Sequence, residues 1–190
     1  FLLGLFEDTS IELSSKLIVL GAYNAELNKN KTNKQSDPGK GGFATTLYEK
    51  LKAVYPNDPS VHIIGGDLYL STGKNREAQS EYLKAVETGA DVNFELYENL
   101  LYLEVKLEQW DQVITHAEQA LEIYPNQSMI HYFNGLAHLR KRHHPEAIQS
   151  LEQAKRLSSS NAGLVSEINS QLGEAYNATR QYPKSDKVYD

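Results

Sequence analysis

The sequence has no cysteine, a single methionine and no long apolar run, and these absences exclude several kinds of site. Without cysteine the chain has no disulfide, no thiolate metal site and no cysteine nucleophile. No apolar stretch approaches the roughly 20 residues that a membrane-spanning helix needs. Lys and Arg number 19 against 25 Asp and Glu, which gives a net charge of −6. Nucleic-acid binding needs a surplus of positive charge, so we expect no nucleic acid as partner. Because a long apolar run is missing, we also expect no membrane span.

What the sequence does contain is a recurring pattern of small and apolar residues. One column of residues recurs at steps of 35, 34 and 38 positions. Its members are Gly66, Leu101, Gly135 and Gly173. A second column follows at the same steps, and its members are Ala78, Val113, Ala147 and Ser185. Two columns that shift together predict an array of repeats, in which each repeat buries its apolar face only against its neighbours.

Each repeat has the pattern of two helices joined by a short turn. In residues 58–90, Asp58 is a suitable N-cap and Pro59 suits the first helical position. A break at 71–74 then separates two stretches with helical apolar spacing. Glycine in the middle of a helix costs about 1 kcal/mol relative to alanine, so Gly66 predicts a close approach by the neighbouring helix.

The N-terminal repeat departs from this spacing. Gly21 fits the glycine column and Ala44 the alanine column, but these two residues are 23 apart instead of 12. The additional residues fall in 28–42, which is rich in Asn, Lys and Gly. We predict a mobile loop there, inserted between the two helices of the repeat. The chain begins without Met and stops inside a predicted repeat, so we interpret it as part of a longer protein.

The predicted organisation is one helical stub followed by five repeats, the first divergent and the last truncated. The boundaries are 1–9 for the end of a preceding helix or cap, 10–57 for the divergent repeat with its insert at 28–42, then 58–92, 93–127 and 128–160 for full repeats, and 161–190 for the truncated one.

These columns resemble the tetratricopeptide repeat, known as TPR, in bacterial TPR-containing proteins. The family pairs Leu-Gly with a following Tyr in the first helix, as Leu172, Gly173 and Tyr176 do here, and places small residues and a closing Pro in the second half. Glu104 and His138 stand where the family has Tyr. The resemblance implies an all-α fold, a right-handed superhelical solenoid of antiparallel helix pairs. It extends to long bacterial repeat proteins exported to the cell envelope, which favours an exported or periplasmic location.

The resemblance also implies where a partner would bind. The first helices of TPR units line a concave groove, and the family's groove positions map onto apolar, aromatic and acidic residues of this chain. These candidate peptide-binding residues are Ile63, Asp67, Leu70, Glu98, Tyr102, Val105, Met129, Tyr132, Leu136 and Leu139. Ile63 and Asp67 replace the Lys and Asn with which some family members hold a C-terminal carboxylate, so we expect no such clamp. The groove composition predicts an apolar peptide or helix that carries Lys or Arg.

The function predicted from these features is a non-catalytic scaffold for protein–protein interaction. The first alternative is the recognition arm of a larger enzyme or sensor whose catalytic domain lies outside residues 1–190. The second alternative is a self-assembling array, in which one copy stacks on another. The full-length sequence would separate the first alternative from a scaffold, and molecular size at several concentrations would test the second.

Other motifs predict no cofactor and no metal. His131 and His138 share a helix face, but both fall on packing positions of the repeat. The turn residues His143 and His144 stand among basic residues, which indicates a solvated turn, with a local anion-binding patch as the alternative. The Gly-Lys-Gly-Gly string at 39–42 lacks both the strand and the Ser or Thr of a phosphate-binding loop.

Overall fold

The chain folds into helices joined by short turns. The computed structural model describes residues 2–32, 38–88, 93–158 and 160–189, and within these ranges it contains eleven helices and no strand. The helices are α1 (Leu2–Glu7), α2 (Leu13–Thr32), α3 (Pro38–Val54), α4 (Pro59–Ser71), α5 (Asn75–Glu87), α6 (Phe94–Lys106), α7 (Trp110–Ile123), α8 (Ser128–Arg140), α9 (His144–Leu157), α10 (Ala162–Ala178) and α11 (Tyr182–Tyr189). None of these helices is both long enough and apolar enough to cross a bilayer.

The helices form two compact units, Phe1–Val92 and Asn93–Asp190. In the first unit, α4 packs against α2, α3 and α5, and α1 packs against α3. In the second unit, α8 is the central helix and packs against α6, α7, α9 and α10, while α11 packs against α10. Each unit therefore has its own apolar core.

Four helix-to-helix turns share one backbone conformation. A residue with positive φ stands in each turn, and in the last three turns that residue is not glycine. These residues are Gly73 (φ 79°), Glu108 (φ 56°), Arg142 (φ 62°) and Arg180 (φ 59°). The amide after each of them donates a hydrogen bond to the carbonyl five positions back, as Gln109 N does to Glu104 O over 2.9 Å. This is the Schellman motif, which satisfies the last carbonyls of the first helix. Each turn residue lies seven positions after a member of the Gly66 column, so the structure repeats at the steps found in the sequence.

The small residues of two repeats allow the close helix contacts that the sequence predicted. A Cβ added at Gly66 would lie 2.4 Å from the Tyr82 ring, and one added at Gly135 would lie 2.7 Å from Leu151 Cγ. Gly21, which we assigned to the same column, is different, because a Cβ there would meet nothing within 4 Å. The close helix contact expected of this column is therefore absent at Gly21.

The polar segment 28–42 is helical at both ends, which contradicts the predicted loop. Residues 28–32 continue α2 and residues 38–42 begin α3, whereas residues 33–37 lie outside the described part of the chain. Leu27 and Gly41 are buried, and the Lys40 ammonium forms an ion pair with Glu26 across the two helices. Packing between α2, α3 and α4 thus overrides the low helix propensity of the sequence.

Candidate functional site

The exposed side of α6 carries three of the predicted peptide-binding residues. The Asn93 side chain caps α6 by accepting a hydrogen bond from Leu96 N at 3.1 Å. The helix buries Leu96, Leu100 and Leu103 against its neighbours. Glu98 and Val105 stay half-buried, and Tyr102 is 45% exposed. The spacings of four and three residues place Glu98, Tyr102 and Val105 along one side of the helix. We call these three residues the α6 face.

Glu98 is the member of the α6 face with an unusual electrostatic environment. Burial raises the pKa of its carboxyl group, and the neighbouring Glu95 raises it further. Within the described ranges, no hydrogen bond or ion pair joins Glu98 to another side chain. A half-buried carboxylate without a cation is costly to ionise. A cation supplied by a ligand would remove that cost.

Tyr102 presents an aromatic surface next to this carboxylate. The Lys106 ammonium lies 5.4 Å from the centre of the Tyr102 ring and within 3.5 Å of its hydroxyl. Lys106 is itself exposed, so its side chain can move away from the ring when a ligand approaches. An accessible tyrosine beside a half-buried carboxylate is the type of pair that anchors a peptide side chain at an interface.

The predicted residues of α8 lie mostly inside the second unit. Tyr132, Leu136 and Leu139 are 9%, 7% and 3% exposed, and Met129 is half-buried. Leu139 packs in a cluster with small residues of α9 and α10. The Tyr132 hydroxyl donates to Glu167 Oε1 at 3.2 Å. The groove positions of the resembled family indicated these residues, but α8 packs against α6, α7, α9 and α10, so most of them are covered.

Two acidic residues of α10, Glu167 and Glu174, interact with side chains of α8. Glu167 accepts hydrogen bonds from Tyr132 on α8 and from Gln171 one turn further along its own helix. Glu174 lies 3.5 Å from the Arg140 guanidinium. Glu167 and Glu174 therefore already have hydrogen-bond or ion-pair partners within the protein. Glu98 differs from them, because it has no such partner among the described side chains.

In the first unit, the predicted residues lie on α4. Ile63 and Leu70 are half-buried. The Asp67 carboxylate accepts a hydrogen bond from the Tyr82 hydroxyl at 2.6 Å, so it already stabilises the packing of α5 on α4.

Sequence reasoning missed a charged network in the first unit. Glu81 is 3% exposed, and its carboxylate lies 2.7 Å from Lys52 Nζ, 2.7 Å from His62 Nδ1 and 3.1 Å from Lys84 Nζ. Burial alone would raise the pKa of Glu81, but the hydrogen bonds from Lys52, His62 and Lys84 outweigh burial and lower the pKa to about 2. Only the tertiary fold brings α3, α4 and α5 together here, so no sequence motif indicated the network.

Two histidines play equivalent structural parts. His62 Nε2 lies 2.9 Å from the Pro56 carbonyl, and His131 Nε2 lies 2.9 Å from the Pro125 carbonyl. Each proline is the middle residue of a Tyr-Pro-Asn sequence, and these two sequences, at 55–57 and 124–126, are 69 residues apart. These contacts agree with the packing role that the sequence predicted for His131, and they give His62 the same role. Within the part of the chain that the structure describes, no group of three or more His, Asp or Glu residues is arranged to hold a metal ion.

The comparisons with known proteins identify the type of repeat. The family model of the tetratricopeptide repeat matches residues 62–88, which include α5 and most of α4. No curated protein sequence matches the chain.

Solved structures of TPR proteins share the fold. The MamA protein is 17% identical, with a TM-score of 0.74 over 93% of this chain and 90% of that chain. A MamA from Desulfovibrio magneticus RS-1, starting at residue 41, is 14% identical, with a TM-score of 0.69 over 90% of each chain. YrrB, described as a TPR protein with an unusual peptide-binding site, is 17% identical, with a TM-score of 0.69 over 87% of this chain and 80% of that chain. These likenesses confirm the predicted fold class, an all-α fold of TPR helix pairs. The chain therefore contains a segment, residues 62–88, that matches the tetratricopeptide repeat, and its fold is similar to that of TPR proteins.

Proposed function

We propose that this protein is a non-catalytic scaffold that binds a peptide or a helix of another protein on the α6 face of its second unit. The observation that carries the proposal is the half-buried Glu98 carboxylate, which has no partner among the described side chains and lies beside the exposed Tyr102. TPR proteins bind other proteins, and the similar structure of YrrB is described as having a peptide-binding site.

The chemistry of the α6 face selects a basic partner. A Lys or Arg side chain of the ligand would give Glu98 the cation that it lacks, and the ion pair would be strengthened by partial desolvation. Apolar side chains of the ligand would pack on Tyr102 and Val105. The acids of α10 extend the negative potential along the second unit. A peptide with one basic residue next to apolar residues would pair with Glu98 and pack against Tyr102 and Val105.

The composition of the α6 face supports a non-catalytic role for this surface. One unpaired carboxylate and one tyrosine supply neither an activated nucleophile nor an acid–base pair. The two alternatives stay open to test: a catalytic domain elsewhere in a longer protein, and association of copies of this chain. Ile18, Ile123 and Tyr182 are exposed apolar side chains that could serve the second alternative.

Selection of peptides from a random library on the 190-residue chain tests the proposal. We expect the selected peptides to be enriched in Lys or Arg next to apolar residues. A double variant, Glu98→Gln with Tyr102→Ala, removes the carboxylate charge and the aromatic surface. We expect it to bind a selected peptide about tenfold or more weakly, because each truncation at an interface anchor costs on the order of 1 kcal/mol. Titration calorimetry on both proteins measures the difference.

A matched control separates the α6 face from general effects of charge and aromatic content. Glu122 and Tyr182 are exposed residues on α7 and α11, and the double variant Glu122→Gln with Tyr182→Ala makes the same chemical changes. We expect this variant to bind as the wild type does. Equal losses in the two double variants, or selected peptides without basic residues, would contradict the proposal.

Binding should also weaken in acid. Because the pKa of Glu98 is raised, its carboxylate begins to take up a proton at a higher pH than an ordinary glutamate does. Protonation removes the attraction for a cationic ligand, so affinity should be full at neutral pH and fall as the pH drops toward the raised pKa. Affinity measured between pH 7 and pH 4.5 should fall for the wild type and should be nearly constant for Glu98→Gln. A parallel decline in both proteins would exclude Glu98 as the group responsible.

A further inference from the structure

The turn between α8 and α9 brings two histidine rings together. His138 lies in the last turn of α8, and His143 immediately precedes α9. The Schellman turn joins their backbones, because His143 N donates to His138 O at 2.9 Å. The two Nδ1 atoms lie 3.4 Å apart, and the ring centres are separated by 5.6 Å. His138 is buried, whereas His143 is exposed, so solvent reaches the pair from one side.

This separation fits two ligands of one metal ion. Zinc binds imidazole nitrogen at about 2.0–2.1 Å, so two nitrogens at a tetrahedral angle lie about 3.4 Å apart. A separation of 3.4 Å is longer than most protein hydrogen bonds. We propose that His138 and His143 bind a divalent transition-metal ion such as Zn²⁺ through their Nδ1 atoms, with water or a side chain of a partner completing the coordination. This site is independent of the α6 face and of peptide binding.

The charges around the pair are mixed. Glu118 on α7 and Glu146 on α9 interact electrostatically with His138 and favour a cation beside it. Lys141 and Arg142 stand in the same turn and oppose it. The described residues supply no third protein ligand. We therefore expect reversible binding, because a structural zinc site usually has four protein ligands.

Zinc titration of the full 190-residue chain, followed by NMR of the histidine side chains at neutral pH, tests the proposal. We expect the ring signals of His138 and His143 to shift together to a saturating value and to return when a chelator is added. The variant His143→Ala removes an exposed ligand and leaves the buried ring in place. In this variant we expect the zinc-dependent shift of His138 to be lost.

The variant His131→Ala is the matched control, since it also removes one histidine of α8 but leaves the pair intact. We expect it to keep the zinc response of His138 and His143. If zinc leaves both rings unchanged in the wild type, or still shifts His138 equally in His143→Ala, the pair is an imidazole–imidazole hydrogen bond and the proposal is wrong.

Discussion

Replacing Glu81 with glutamine is expected to lower the free energy of unfolding of the first unit by up to about 3 kcal/mol at neutral pH. The substitution keeps the size of the side chain but removes the charge that Lys52, His62 and Lys84 surround. The pKa of Glu81 is lowered from an ordinary value of 4.5 to about 2, and each pKa unit corresponds to about 1.4 kcal/mol of stabilisation. Loss of the carboxylate also leaves the buried His62 ring with a weaker partner.

The stabilisation that Glu81 provides depends on pH, because its pKa is lower in the folded state. A carboxyl group whose pKa is lower in the folded state stabilises the fold at a pH above its unfolded pKa. That stabilisation is fully present above about pH 4.5 and is lost as the pH falls toward 2, where Glu81 becomes protonated in both states. The difference in stability between the wild type and Glu81→Gln should therefore be constant near neutrality and shrink through this acidic range.

Amide hydrogen exchange of α4 and α5 measures the effect in the first unit. Glu87→Gln is the matched control, because Glu87 lies on the same helix and is exposed. We expect this control to change protection by less than about 0.5 kcal/mol. Equal protection in Glu81→Gln and Glu87→Gln would show that the network contributes nothing to stability.

The second prediction concerns Gly66, where alanine should destabilise the protein by about 1–3 kcal/mol. An added Cβ would lie 2.4 Å from the Tyr82 ring. That ring cannot move easily, because Tyr82 is fully buried and its hydroxyl donates a 2.6 Å hydrogen bond to Asp67. The cost of this overlap exceeds the roughly 1 kcal/mol that alanine gains over glycine in a helix.

Gly21→Ala provides the matched comparison in the same unit. Gly21 lies in the middle of α2, and a Cβ there would meet nothing within 4 Å. Alanine should therefore stabilise the protein by up to about 1 kcal/mol. In thermal unfolding, Gly66→Ala should melt at a lower temperature than the wild type and Gly21→Ala at a higher one. A stabilised Gly66→Ala variant would mean that α4 and α5 do not pack at the described separation.

The repeated columns of the sequence predicted the positions of the turns between paired helices and the close contacts at two glycines. The steps between Gly66 and the later column members reappear in the turn residues, and Gly66 and Gly135 make the close contacts expected of them. Spacing alone could not show that α2 leaves Gly21 uncovered, nor that the polar residues 28–32 and 38–42 belong to α2 and α3. Both outcomes depend on the neighbours that the fold supplies.

Less of the candidate site than of the fold could be predicted from the sequence. The groove positions of the resembled family indicated Glu98 and Tyr102, and on α6 the structure leaves Glu98 half-buried and Tyr102 exposed. The sequence could not show that α8 packs against four other helices, which leave Tyr132 and Leu136, two of the predicted ligand contacts, only 9% and 7% exposed. The Glu81 network joins three helices and leaves no signal in local spacing.

An amide hydrogen exchange footprint of the chain with the strongest peptide selected from the library tests binding at the α6 face most directly. We expect new protection on α6 between Phe94 and Lys106, with little change on α7 and α9, and loss of this protection in the Glu98→Gln, Tyr102→Ala double variant. Protection confined to other helices, with α6 exchanging as it does in the free protein, would contradict the proposal that the α6 face binds partners.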